Sequence, residues 1–176
     1  MKSSRLIIVL GAAAVVVLTA LSVAAVVLFG GATAGPGIRA CSSPSLAGTV
    51  VDVALTDMGS GMMGGRLRLV PDERTVPHGT VSFLAVNRGA LPHELVVLPL
   101  ADGQRAGTRA GGADGKVGEE GALGEASASC AQGEGDGILP GAESWVTLDL
   151  PPGRYELVCN LPGHYAAGMY AELTVN

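Results

Sequence analysis

Basic side chains are scarce in this chain. It has 11 Lys and Arg against 16 Asp and Glu over 176 residues, and two of the eleven, Lys2 and Arg5, sit near the N-terminus. From residue 31 onward, nine basic groups face sixteen acids, a net charge of −7. Nucleic acid and anionic lipid surfaces both call for basic patches, so neither is expected as a partner, and a basic partner surface suits the balance better. Histidine is rarer still. Three in the whole chain are too few for a trinuclear metal cluster. Cysteine occurs three times, at Cys41, Cys130 and Cys159.

One segment has no charge at all. Residues 6–29 form an uninterrupted run of 24 without Asp, Glu, Lys or Arg, longer than the roughly 18 apolar residues that suggest a membrane span. The basic head before it predicts an N-terminus inside and everything after residue 30 outside. A cleavable signal peptide competes, with Ala32-Thr33-Ala34 resembling a cleavage site, although such peptides have apolar cores of only about 7 to 15 residues. A lipoprotein modified at Cys41 fits poorly, because Arg39 lies just before that cysteine and the apolar run ends well upstream. Each alternative exports the remainder of the chain. Residues 1–30 therefore read as a membrane anchor or signal segment (a transmembrane or signal helix). Residues 31–47, rich in Gly, Pro and Ser, read as a flexible linker, and 48–176 as the domain.

Within 48–176 the rhythm is that of strands. Val51, Val53 and Leu55 alternate with Asp52, Ala54 and Thr56, and residues 66–70 alternate again. Pro77-His78-Gly79 is a turn, with His78 a solvated turn residue. Residues 80–87 follow with Val81, Phe83 and Ala85 on one side, and 94–100 are a further apolar strand. Residues 144–150 set Val146, Leu148 and Leu150 against Trp145, Thr147 and Asp149. The turn Pro151-Pro152-Gly153 leads to 154–159, with Tyr155, Leu157 and Cys159 on one face, and 170–175 close the chain. Seven or so short strands separated by Gly/Pro turns predict an all-β sandwich.

Residues 101–137 interrupt this rhythm. They hold eleven of the 27 glycines and no aromatic residue, with six acids and a single Lys between Asp114 and Asp136. The composition predicts a Gly-rich acidic insertion, mostly solvated, held at one point by Cys130 and with room for a short helix near 118–127.

The chemistry concentrates after residue 158. Cys159, His164 and Met169 stand four residues apart, twice, in Cys-Asn-Leu-Pro-Gly-His-Tyr-Ala-Ala-Gly-Met. Thiolate and thioether are soft donors that select copper, and a His₂Cys set with a weak axial Met is the coordination of a blue-copper site. Pro162-Gly163 forces a turn and Ala166-Ala167-Gly168 lets the backbone fold back, so one loop between two strands can aim three donors at one centre. A fourth must come from elsewhere, and His93, opening another strand, can supply it. Other readings exist. A cysteine in a strand is commonly a small buried hydrophobe. Cys–His nucleophilic chemistry leaves Met169 unused, and zinc has no use for a thioether.

These segments resemble the cupredoxins. The Cys-x₄-His-x₄-Met spacing is most similar to the rusticyanin, sulfocyanin and auracyanin group. Asn87-x-Gly89-x-x-x-His93 resembles the family's first-ligand segment, and Leu150-Pro-Pro-Gly-Arg-Tyr155 the turn and strand entering the cysteine. The resemblance implies a Greek-key β-sandwich over 48–176 holding one type 1 copper ion. It implies His93, Cys159 and His164 as equatorial ligands and Met169 as the axial one. One departure is Glu94, where family members often carry Asn or Ser in reach of the cysteine sulfur.

With Cys159 taken as a ligand, Cys41 and Cys130 remain as a pair, and an exported chain favours a disulfide between them over a free thiol at Cys130. The function implied is an exported electron carrier, not an enzyme, acting as a monomer. Redox partners would dock transiently where the His164 edge meets an apolar collar of Leu161, Pro162, Tyr165 and Ala166. An extracytoplasmic copper chaperone or resistance protein is the alternative. Met58, Met62 and Met63 would serve it as a second soft Cu(I) site, whereas their ordinary use is to cover a core edge.

Overall fold

Apolar side chains at every second position decide which segments become strands. In the computed structural model, which describes residues 41–57 and 66–176, Val51, Val53 and Leu55 of β1 (Thr49–Thr56) all point into one core. The remaining strands are β2 (Arg68–Pro71), β3 (Thr75–Val76), β4 (Gly79–Asn87), β5 (Leu95–Pro99), β6 (Gly124–Ala126), β7 (Glu143–Leu150), β8 (Gly153–Val158) and β9 (Tyr170–Val175). No helix occurs among the described residues, and none there is long and apolar enough to cross a membrane. The expected anchor at 1–30, and Met58, Met62 and Met63, lie outside the described residues.

The strands form two mixed sheets, ordered β2-β1-β4-β7 and β3-β9-β8-β5-β6. β1 runs parallel to β4, and β3 parallel to β9, while all other neighbours are antiparallel. Val51, Phe83 and Val146 of the first sheet meet Leu95, Leu157 and Leu173 of the second in one apolar layer. Two sheets facing each other across a shared core make a sandwich, so the all-β expectation holds.

Two expectations need correction. Residues 101–137 are mostly solvent-exposed, as expected, but they are held at several points and not at one. They contain β6 where a helix had room, and β6 pairs with β5 as an edge strand. The segment also covers the outer face of the second sheet, where Val117 packs with Val96, Leu98, Val158 and Tyr165 in a second small core. The strand alternation of β5 is lost for this reason, and Leu95, Val96, Val97 and Leu98 are all at most 1% exposed. Trp145, on the face of β7 opposite Val146, is buried as well, where residues 131–133 pair alongside it.

The second correction concerns residues 41–47, read as flexible linker. Cys41 is bonded to Cys130, their Cα atoms 4.9 Å apart. Ser43 N–H donates to Glu143 Oε1 at 3.0 Å, and Ala47 C=O accepts the Ser82 hydroxyl at 2.7 Å. Residues 41–47 therefore belong to the folded body. The disulfide expected from cysteine parity is present.

Candidate metal centre

The loop between β8 and β9 is built from turns that return the chain on itself. Gly163 and Gly168 take φ of 81° and 95°, in the left-handed region open to glycine at little cost. His164 N–H donates to Leu161 C=O at 3.0 Å, Gly168 N–H to Tyr165 C=O at 2.9 Å, and Met169 N–H to His164 C=O at 3.1 Å. Cys159 N–H then donates to Met169 C=O at 3.0 Å, which closes the loop. Cys159 and Met169 are both fully buried, and His164 is half-buried.

His93 reaches the same place from the other side. It pairs with Ile138 in an isolated bridge two residues before β5 begins, its N–H donating to Ile138 C=O at 3.2 Å. Its Nδ1 lies 3.3 Å from His164 Nδ1, and Cys159 Sγ lies 3.3 Å from the same His164 nitrogen. One donor atom from each of the three residues falls within 4.8 Å of the other two. Metal–nitrogen bonds of about 2.0 Å and metal–sulfur bonds of about 2.3 Å, splayed in a trigonal plane, separate their donors by roughly 3.5 to 3.7 Å. The observed spacing fits a metal ion held by two Nδ1 atoms and one sulfur. Met169 lies in the same buried cluster as Cys159.

The protonation states suit the donors unequally. Burial lowers both imidazole pKa values, and the neighbouring ring lowers that of His93 further while Asp57 opposes the shift, so both rings are neutral and one nitrogen of each is bare. Burial pushes the Cys159 thiol up to about 12, against the pull of backbone N–H groups of Glu94 and Leu161. Without a cation the sulfur keeps its proton, and a thiolate here requires a metal to hold it.

Around the donors is a ring of contacts. The Glu94 backbone N–H points at Cys159 Sγ from 3.4 Å, so the sulfur's hydrogen bond comes from the main chain and needs no Asn or Ser at that position. The Glu94 side chain turns toward the insertion; burial first, then Glu125 and Glu119, raises its pKa to about 7, with Lys116 opposing. Asn160, next to the cysteine, accepts Val117 N–H at 2.7 Å and donates to Val117 C=O at 2.9 Å. Gly163 N–H donates to Gly115 C=O at 2.9 Å. Behind His164, the Tyr165 hydroxyl donates to the buried Glu156 Oε1 at 2.8 Å and accepts Arg109 N–H at 3.0 Å, while Arg109 Nε meets Glu156 Oε2 at 2.6 Å. The insertion thus straps the ligand loop from behind.

Asn87 holds the loop carrying His93. Its amide donates to Leu91 C=O at 2.8 Å and Ile138 C=O at 2.7 Å, and its carbonyl oxygen accepts Gly89 N–H at 2.8 Å. The sequence motif already marked Asn87 and Gly89. It did not mark Asp57, whose Oδ2 lies 3.4 Å from His93 Nε2. That distance is longer than a well-formed hydrogen bond, which leaves Nε2 without a hydrogen-bond partner. Burial works to raise the Asp57 pKa, but N–H groups of Ala90 and Leu91, helped by His93, bring it below the ordinary carboxylate value.

Comparison with known proteins places this geometry. The sulfocyanin (SoxE) domain model matches residues 65–176, a span that contains all four candidate ligands. No curated protein sequence matches the chain at a significant level. Among solved structures, auracyanin from the photosynthetic bacterium Roseiflexus castenholzii is similar at 23% identity, covering 74% of this chain and 98% of its own, with a TM-score of 0.48. Auracyanin A from Chloroflexus aurantiacus is similar at 21% identity, covering 72% and 99%, with a TM-score of 0.44. Rusticyanin from Thiobacillus ferrooxidans is similar at 16% identity, covering 81% and 94%, with a TM-score of 0.45. By the family match over 65–176, the chain belongs to the sulfocyanin family of cupredoxins, proteins that bind one type 1 copper ion.

Proposed function

We propose that the chain carries single electrons between redox partners outside the cytoplasmic membrane, with His93, Cys159 and His164 as the equatorial ligands of copper and Met169 as the axial one. The observation that carries this reading is the convergence of two neutral Nδ1 atoms and one thiol within 4.8 Å in a buried pocket. Copper supplies the Cu(I)/Cu(II) couple when bound. The residues supply its setting: the sandwich fixes Cys159 and Met169 at the ends of adjoining strands, and the turns at Gly163 and Gly168 fix His164 between them. A site held this firmly needs little rearrangement between oxidation states, which favours fast transfer. The axial donor and the polarity near sulfur tune the potential.

His164 is the one member of the His₂Cys set that is not buried, so its ring is the natural electron port. Leu91, beside Pro92 and His93, and Leu139, beside Ile138, are 48% and 56% exposed. With Pro162 and Ala166 they offer an apolar rim for a small, transient interface. The Cys41–Cys130 disulfide suits an oxidising compartment. Tethering of a monomer by residues 6–29 completes the proposal. The test is the visible spectrum of the chain with Cu(II), alone and as Cys159→Ser: an intense thiolate-to-copper band must be present in the first and absent from the second.

A further inference from the structure

Asp57 directly follows β1 and is 3% exposed. Its carboxylate accepts Ala90 N–H on both oxygens, at 2.8 and 2.9 Å, and Leu91 N–H on Oδ2 at 2.6 Å. The same Oδ2 lies 3.4 Å from His93 Nε2, a fully buried nitrogen with no hydrogen-bond partner. Gly89 makes room for the carboxylate, since a Cβ there would come within 2.8 Å of Asp57 Cγ. Four features of one loop therefore converge on a single acid.

The two nitrogens of His93 have different duties. Nδ1 faces Cys159 and His164 and must be bare to bind a metal. A neutral ring then carries its one proton on Nε2, the nitrogen that faces Asp57. Metal-ligating histidines usually give that second N–H to a carboxylate or carbonyl, which fixes tautomer and ring orientation and makes the ring a better donor. A carboxylate so close, screened from water, also stabilises the more highly charged oxidation state of the ion.

We propose that Asp57 is a positioning residue of the centre: it holds His93 in the tautomer with Nδ1 bare, and its charge keeps the reduction potential low. The inference rests on the copper reading above.

The test compares the copper-loaded full chain with Asp57→Asn, which keeps a side-chain oxygen to accept from the loop but loses the charge. Wild type and variant should both show the intense visible band, and in the variant the equilibrium should favour reduction at least tenfold more, about 59 mV for one electron. In the reduced, diamagnetic wild type, long-range ¹H–¹⁵N spectra should show His93 protonated at Nε2, with that proton shifted downfield by its acceptor. An unchanged or lowered potential in Asp57→Asn overturns the proposal. Should the variant fail to take up copper, the wild-type spectrum decides, and an Nε2 proton without that downfield shift overturns the proposal on its own. A wild-type chain without the visible band removes the copper reading itself, an outcome distinct from either of these.

Discussion

Asn160 and Val117 are joined at both ends: Val117 N–H donates to Asn160 Oδ1 at 2.7 Å, and Asn160 Nδ2 donates back to Val117 C=O at 2.9 Å. One residue follows the candidate ligand Cys159; the other lies in the insertion. Through this pair the strap is coupled to the cysteine.

Replacing Asn160 by Ala leaves a buried N–H and a buried C=O of Val117 without partners. The expected cost is about 1 to 3 kcal/mol, read as a lower urea midpoint of the copper-loaded chain. The variant should still bind copper, because the donors themselves are untouched.

Arg109 makes a harsher test of the same strap. Its Nε meets Glu156 at 2.6 Å, and Glu156 is fully buried. In Arg109→Met the carboxylate keeps the Tyr165 hydroxyl and Gly107 N–H but loses its only ion-pair partner among the described residues, and a loss of up to about 3 to 5 kcal/mol follows for a buried charge without a counter-charge. Restoring a neutral site with Arg109→Met and Glu156→Gln together should recover part of that loss, measured by thermal unfolding of both variants.

The pH dependence of the metal-free chain has a fixed sign. Burial pushes the Cys159 thiol up to about 12, whereas an exposed thiol titrates near about 8.5. Above that lower value the unfolded chain has lost a proton that the folded chain keeps, so this group's stabilising contribution is complete below it and declines as pH rises toward the folded value, by at most about 1.4 kcal/mol per pH unit. Urea midpoints at pH 8 and pH 10 should fall more steeply for the metal-free wild type than for Cys159→Ser. Tyr165, whose hydroxyl burial also pushes up to about 12, titrates in both chains and cancels in the comparison.

The sequence made the ligand loop legible because three donors lie within eleven consecutive residues, between two strands whose alternation is clean. His93 was legible from its place at the start of a strand and from Asn87 and Gly89 before it. Asp57 was not marked, although it continues the inward register of Val51, Val53 and Leu55, where an acid calls for a partner; that partner loop is distant in sequence. The insertion misled for a physical reason too. Glycine-rich acidic composition signals solvated chain, yet here glycines such as Gly107 and Gly115, with φ of 86° and 78°, serve tight turns that let backbone groups reach Glu156 and Gly163. Its few apolar residues still pack: Val117 covers the outer face of the second sheet and Ala126 joins the main core. Glu94 shows the converse: the side chain departs from the family's habit, while the main-chain N–H still reaches Cys159 Sγ at 3.4 Å.

Visible absorption of the full chain titrated with Cu(II) bears most directly on the central claim that Cys159 is a thiolate ligand of a type 1 copper. One equivalent should produce an intense thiolate-to-copper band. Cys159→Ser should abolish that band, and Met169→Leu should keep it while raising the potential. A colourless protein, or the weak spectrum of ordinary tetragonal Cu(II), would contradict the account.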